Sequence, residues 1–163
     1  LQHAREFQAA GISFIFDPGQ GLPMFNGDEL LAFVRMADYL TVNDYEAQLL
    51  QEKTGQTLAA LAQHVKALVV TLGAKGSLIY ANGRQVEIPR ARPDAVIDPT
   101  GCGDAYRAGL LYGIASGMDW ELTGRLASLL GAIKIAHRGG QNHRFTRDEI
   151  RERCKRDFGT AIW

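Results

Sequence analysis

Apolar residues along the first half of the chain alternate between short continuous runs and runs with helical spacing. The continuous runs at residues 12–16, 39–42 and 67–72 are rich in β-branched and aromatic side chains and predict buried strands. The helical spacing predicts helices over residues 2–10, after Gly27, and over residues 43–52 and 57–66. Strands that alternate with helices in this way indicate a mostly parallel sheet covered by helices.

The pattern changes after Gly73. Two short extended runs, residues 77–81 and 84–88, flank Asn82 and Gly83, and this pair is a strong hairpin signal. Helical spacing then returns. A helix is predicted over residues 105–116, with a buried face formed by Leu110, Leu111, Ile114 and Ala115.

The last two predicted helices have different signals. One has an apolar stripe at helical spacing, and the other begins where Thr146 and Glu149 form a capping-box pattern. The stripe consists of Leu122, Leu126, Leu129, Leu130 and Ile133. The whole pattern predicts an α/β domain with a small hairpin.

Composition limits the classes of function. The 163 residues include 18 basic and 18 acidic side chains, so no net charge points to a nucleic-acid or anionic-membrane surface. No apolar run approaches the ~20 residues that span a bilayer. Two cysteines, Cys102 and Cys154, cannot build a disulfide framework. We therefore expect a cytoplasmic protein with a small-molecule substrate, and neither nucleic acid nor membrane as a partner.

The most informative segment is D-P-T-G-C-G-D-A-Y at residues 98–106, which ends an extended run and opens a helix. The first amides of a helix lack internal partners and, with the peptide dipoles, attract an anion such as a phosphoryl group. Gly101 and Gly103 let a ligand approach the backbone closely. Asp104 beside them has two interpretations: a base for a substrate hydroxyl, or an early-turn acid that stabilises the helix. A corner filled by packed hydrocarbon, or an Asp104 side chain directed elsewhere and held by an arginine, would reject this site.

Two further motifs precede this segment. Residues 71–77 (T-L-G-A-K-G-S) follow the strongest strand, where α/β sheets usually bind ligands, although an ordinary turn into the hairpin explains them equally well. Residues 43–46 (N-D-Y-E) follow another strand. Asn43 and Glu46 form a capping-box pattern, and as oxygen donors they also suit a magnesium ion held through water.

The order of the three motifs resembles that of the ribokinase-like, or phosphofructokinase-B, family of sugar and nucleoside kinases. The resemblance extends over most of the chain, and D-x-T-G-x-G-D is its most specific part. It implies a three-layer fold with a central, mostly parallel sheet. It also implies ATP-dependent phosphoryl transfer to a hydroxyl of a sugar or nucleoside, as in adenosine kinases or ribokinases.

The resemblance assigns roles residue by residue. Asp104 corresponds to the catalytic base, and the anion hole corresponds to Gly101, Cys102 and Gly103. The positions that correspond to ATP contacts are Thr71, Gly73 and Gly76, with Lys75 as a weaker candidate beside the phosphates. Asn43 and Glu46 correspond to the Mg²⁺ network, and Asp98, with the loop at residues 138–141, corresponds to a K⁺ site.

The resemblance covers only the carboxyl-terminal half of such kinases. The half that carries the acceptor site and its lid has no counterpart here, so we expect residues 1–163 to be the nucleotide-binding and catalytic half of a longer kinase. Open strand edges also make a homodimer an option. An alternative is a nucleotide-binding fragment or inactive paralogue without catalysis. A dinucleotide-dependent enzyme ranks lower because no G-x-G-x-x-G follows the first strand.

Overall fold

The computed structural model describes residues 1–163, which form two compact units. The first unit contains Leu1–Gly73 and Leu78–Val86. The second contains Ala74–Ser77 and Glu87–Trp163.

Five strands form one sheet in the order in which they occur along the chain. They are β1 (Ile15–Phe16), β2 (Tyr39–Asn43), β3 (Ala67–Thr71), β4 (Ser77–Ala81) and β5 (Arg84–Ile88). β1, β2 and β3 are parallel, and the register pairs Tyr39 with Ala67 and Asn43 with Thr71. The carboxyl ends of β2 and β3 therefore lie side by side.

The predicted hairpin between β4 and β5 is confirmed. Asn82 and Gly83 have φ values of 54° and 70°. A two-residue turn with positive φ at both positions has the twist that suits two adjoining strands, and this is why an Asn-Gly pair occurs here.

Four helices accompany the sheet in the first unit: α1 (Gln2–Ala9), α2 (Gly27–Met36), α3 (Asp44–Thr54) and α4 (Leu58–Ala62). α2 and α3 each begin with a complete capping box, in which the N-cap asparagine and the glutamate three residues later exchange hydrogen bonds. The core between helices and strands is aliphatic and aromatic. It includes Phe16, Leu22, Leu30, Val34, Leu40, Leu50, Leu61, Leu68 and Val70.

Three helices dominate the second unit: α5 (Cys102–Ala115), α6 (Trp120–Ile135) and α7 (Arg147–Phe158). The predicted capping box of Thr146 and Glu149 opens α7. Four of the five residues of the predicted stripe on α6 belong to a second core, and Leu122 is only partly buried at its margin. This core contains Ala91, Ala105, Leu126, Leu129, Leu130, Ala132, Ile133, Ile150, Cys154 and Ile162.

The predicted buried face of α5 is wrong in part. Leu110 is buried, but Leu111 is 56% exposed and Ala115 is exposed. The face that packs against α6 contains two glycines instead. A Cβ atom at Gly109 would lie 2.5 Å from the Cα atom of Ala127, and one at Gly113 would lie 2.6 Å from Thr123 Oγ1. The backbones approach so closely that the absence of side chains, rather than their size, selects the buried face.

Two predicted elements are shorter in the structure. β1 has only Ile15 and Phe16, because the amide of Phe14 donates to the side chain of Asp38 while its carbonyl accepts from the amides of Asp38 and Tyr39. α4 ends at Ala62 rather than near Lys66, whose amide donates to the Asp38 carbonyl at 2.7 Å and so leads the chain into β3. No helix of the structure combines the length and the apolar character that crossing a bilayer requires.

Candidate functional site

The first turn of α5 in the second unit offers backbone amides to the outside. Gly101 is its N-cap with φ 79° and ψ 5°, and no side chain caps the helix. The Cys102 amide already donates to the Pro99 carbonyl at 3.1 Å, whereas the amides of Gly103 and Asp104 have no intramolecular acceptor. Both residues are exposed. This turn can therefore donate hydrogen bonds to an anion, with the helix dipole adding partial positive charge.

The two glycines of this turn have different local roles. A Cβ atom at Gly101 would lie 3.0 Å from the Cα atom of Gly140, and the positive φ also favours glycine. A Cβ atom at Gly103 would meet only the end of the Arg107 side chain, at 3.1 Å. Gly101 is therefore needed for the backbone conformation and close packing at the start of α5. Gly103 has no side chain that would cover the exposed backbone of the first turn.

The carboxylate of Asp104 forms an ion pair with Arg107, at 2.6 Å between Oδ1 and Nη2. This contact meets the arginine part of the condition for rejecting the site. The ion pair is weak, however, because the Asp104 side chain is 78% exposed, and an exposed pair contributes only about 0–1 kcal/mol. The sequence spacing does not decide whether Arg107 faces solvent or phosphate, and in the structure it pairs with Asp104.

Asp98 fixes the corner that precedes α5. Its Oδ1 accepts from the Thr100 amide at 2.9 Å, and its Oδ2 accepts from the Gly139 amide at 2.8 Å. These two backbone hydrogen bonds lower the pKa of Asp98 to about 2. The carboxylate therefore connects the turn before α5 with the loop that follows α6.

Lys134 was missed by the sequence analysis. It is fully buried near the end of α6, and its Nζ donates to the carbonyl oxygens of Asp98 at 2.8 Å and His137 at 2.9 Å. The available signal was a lysine immediately after the apolar stripe that ends at Ile133. Sequence periodicity alone treats such a lysine as a solvent-exposed end of a helix.

A potassium ion at Asp98 does not fit the residues as they are arranged. The carbonyl oxygens of Asp98 and His137 already accept from the Lys134 ammonium group, whose positive charge would repel a second cation beside it. K⁺ is a hard cation that needs several such oxygens directed at it. In this chain the carbonyl oxygens at this position accept hydrogen bonds from the Lys134 side chain instead.

Tyr106 adds a second connection that the sequence did not reveal. Its hydroxyl lies 2.6 Å from Ser77 Oγ, and both residues are buried in the second unit. Burial raises the pKa of Tyr106 to about 12, because the charged phenolate is poorly solvated there. The neutral hydroxyl therefore connects the second turn of α5 to the start of β4.

In the first unit, Asn43 and Glu46 adopt the capping-box arrangement at the start of α3. Asn43 Oδ1 accepts from the Glu46 amide at 2.8 Å, and Glu46 Oε2 accepts from the Asn43 amide at 2.9 Å. The structural interpretation of this motif is thus confirmed. The second carboxylate oxygen of Glu46 is not used by the cap, so a role toward a hydrated cation is compatible with it.

The predicted nucleotide loop begins where β3 ends. Thr71 is the last residue of β3, beside Asn43 on β2. Gly73 follows with φ 56° and has open space where a Cβ atom would lie, so its backbone is accessible.

In the second unit, Lys75 is exposed and Gly76 is buried. A Cβ atom at Gly76 would lie 2.0 Å from the carbonyl oxygen of Ile88. Close packing against β5 therefore explains this glycine without a ligand. The structure contains no group of three or more His, Cys, Asp or Glu side chains that could hold a metal ion.

Comparison with known proteins gives the class to which this fold and this helix start belong. Residues 1–146 match the model of the pfkB family of carbohydrate kinases. A nucleoside kinase of Methanocaldococcus jannaschii is 35% identical over 141 residues, which are 86% of this chain and 47% of that protein. A ribokinase of Bacillus subtilis is 33% identical over 117 residues, which are 71% of this chain and 39% of that protein.

The chain belongs to the pfkB family of carbohydrate kinases. A nucleoside kinase of Burkholderia thailandensis, solved in complex with inosine, superposes with a TM-score of 0.95 at 51% identity. The match covers 98% of this chain and 52% of that one. The same kinase has been solved in complex with ADP-inosine. The chain spans about half the length of these relatives, and the predicted ribokinase-like fold is confirmed.

Proposed function

We propose that the protein containing this chain transfers the γ-phosphoryl group of ATP to a hydroxyl of a nucleoside. The exposed, glycine-bracketed start of α5 carries the proposal, because its amides and the adjacent carboxylate are the groups that such a transfer needs. A nucleoside is favoured over a free sugar because nucleoside kinases from two organisms, one of them solved with inosine, are similar to this chain.

In this proposal Asp104 accepts the proton of the attacking hydroxyl. It has to leave Arg107 to do so, and the exposed ion pair makes that exchange inexpensive. The transition state of phosphoryl transfer spreads negative charge over the moving oxygens. The amides at Gly101, Cys102 and Gly103 are proposed to stabilise that charge. Because the Cys102 amide donates to Pro99, Gly103 and the Asp104 amide are the better donors.

Thr71, Gly73, Lys75 and Gly76 are proposed to contact ATP, and Gly73 has the most accessible backbone among them. Asn43 and Glu46 are proposed to hold the water shell of Mg²⁺ through their remaining oxygen and amide groups. When bound, Mg²⁺ would neutralise charge on the phosphates. Glu46 contributes as a partly buried carboxylate whose orientation is fixed by the α3 cap.

The test is phosphoryl transfer by the complete protein with Mg·ATP and a panel that includes inosine, adenosine and ribose. Formation of a nucleoside monophosphate, identified by mass spectrometry, is expected. Asp104→Asn should lower kcat by about 10²–10⁴-fold, the usual contribution of a general base, while ATP affinity changes little. Absence of transfer to every acceptor would reject the function.

Asp148→Asn is a closely matched control. Asp148 is also an exposed first-turn acid, on α7, and pairs with Arg151 at 2.7 Å, three residues later. If Asp104 only stabilises its helix, the two variants should behave alike. Equal activity of both variants would leave nucleotide binding without catalysis as the function of this chain.

A further inference from the structure

We propose that the Lys134 ammonium is a built-in cation that holds the corner before α5, so that catalysis does not depend on added potassium. The catalytic part of this inference rests on the proposed function. Its structural part rests on the second unit alone.

Lys134 lies at the centre of a group of hydrogen bonds between the segment before α5 and the loop after α6. Its Nζ joins the Asp98 carbonyl, at the start of the corner, to the His137 carbonyl, at the end of α6. The Asp98 carboxylate then reaches forward to the Thr100 amide and across to the Gly139 amide. One buried ammonium group thus connects the segment that leads into α5 with the loop after α6.

Burial makes this lysine unusual. An ammonium group withdrawn from water is costly unless it is hydrogen-bonded, and lysine is almost never fully buried without partners. Lys134 has no exposed surface, and its partners are two backbone carbonyls rather than one carboxylate. A cation bound by converging carbonyls is the arrangement expected of a bound monovalent ion.

The charge of Lys134 reaches the groups around it. It contributes to lowering the pKa of the Asp98 carboxyl, although the two amide hydrogen bonds contribute more. It also opposes the larger effect of burial, which raises the pKa of the Cys102 thiol. Cys102 is the first residue of α5, so this charge acts at the helix start that carries the predicted anion hole.

The ammonium group itself distinguishes this arrangement from a potassium site. It already binds the Asp98 and His137 carbonyl oxygens toward which an ion would have to be directed, and its charge repels a second cation. Removal of the lysine would free the carbonyls and the space of its four-carbon stem. The proposal therefore predicts that potassium gains a function only when Lys134 is absent.

The first experiment measures nucleoside phosphorylation by the complete protein in tetramethylammonium and in potassium salts at about 0.15 M ionic strength. The wild type should change by less than about fivefold between them, which is below the usual range of effector coupling. Lys134→Met keeps much of the volume and removes the charge, and it should lose about 10–100-fold in activity, as is typical when a supporting contact is removed. Lys155→Met, an exposed lysine on α7, is the control and should retain full activity.

The second experiment does not use activity. Melting temperatures are measured for the wild type and for Lys134→Ala, each in tetramethylammonium, potassium and methylammonium salts. Potassium or methylammonium should raise the melting temperature of Lys134→Ala and leave the wild type unchanged, because a ligand stabilises only the state that binds it. The melting temperatures test the cation site even if no phosphorylated product is found.

Three results would overturn the proposal. Strong activation of the wild type by potassium would overturn the proposal, as would a Lys134→Met variant as active as Lys155→Met. Failure of both cations to stabilise Lys134→Ala would also overturn it, because the carbonyls would then have no cation-binding function.

Discussion

Gly109 offers a sharp test of how α5 is positioned on α6. In Gly109→Ala the new Cβ atom would lie 2.5 Å from the Cα atom of Ala127. Carbon atoms in contact are normally about 3.5–4.0 Å apart, so the two backbones must separate by about 1 Å. Overpacking of this kind costs about 1–3 kcal/mol. Alanine recovers about 1 kcal/mol of helix propensity, which leaves a net loss of up to about 2 kcal/mol.

Gly131 on α6 is the matched control with the opposite expected sign. A Cβ atom there would meet only the Cys102 carbonyl oxygen, at 3.7 Å, which is an ordinary contact. Gly131→Ala should therefore stabilise the protein by about 0.5–1 kcal/mol through helix propensity alone. The comparison separates steric conflict from the general effect of replacing a glycine in a helix.

Thermal unfolding of the complete protein measures both variants. At about 2–4 °C per kcal/mol, Gly109→Ala should lower the melting temperature by up to roughly 8 °C, and Gly131→Ala should raise it by roughly 1–4 °C. Gly109→Ala should also reduce phosphorylation, because α5 carries Asp104 on its first turn. Stabilisation by both variants would refute the close backbone contact between α5 and α6.

Three further predictions concern single side chains. Glu46→Gln should lower the rate of phosphorylation and make that rate less sensitive to the magnesium concentration. Glu29→Gln changes the equivalent capping box of α2 and should affect stability alone, so equal activities of the two variants would contradict a magnesium role for Glu46. Tyr106→Phe leaves the buried serine hydroxyl unpaired and should cost about 1–3 kcal/mol, as read from denaturant unfolding, against little change for the exposed Tyr112→Phe. Asp98 has a folded pKa of about 2 against an ordinary value of 3.8, so its contribution is complete above about pH 4 and is lost as the pH falls toward 2. Urea midpoints between pH 2 and 5 should therefore fall more steeply for the wild type than for Asp98→Asn, and parallel curves would contradict the amide hydrogen bonds.

The features that sequence predicted well depend on hydrogen bonds between near neighbours. The Asn82-Gly83 hairpin and the cap of α3 by Asn43 and Glu46 each close within four residues, so the residue types alone specify them. The order of the three motifs likewise sufficed to predict the family. Their roles in ATP binding and catalysis remain proposals.

Only the tertiary structure decided which distant groups meet. The buried face of α5 follows from the approach of α6 to Gly109, and the pairing of Asp104 with Arg107 depends on rotamers that spacing leaves open. Lys134 is the clearest case. Its sequence position indicated a solvated helix end, but the return of the chain at Asp98 supplies a partly buried carbonyl acceptor 36 residues away. Local sequence determines which backbone groups are left without partners, and the packing of remote segments determines what satisfies them.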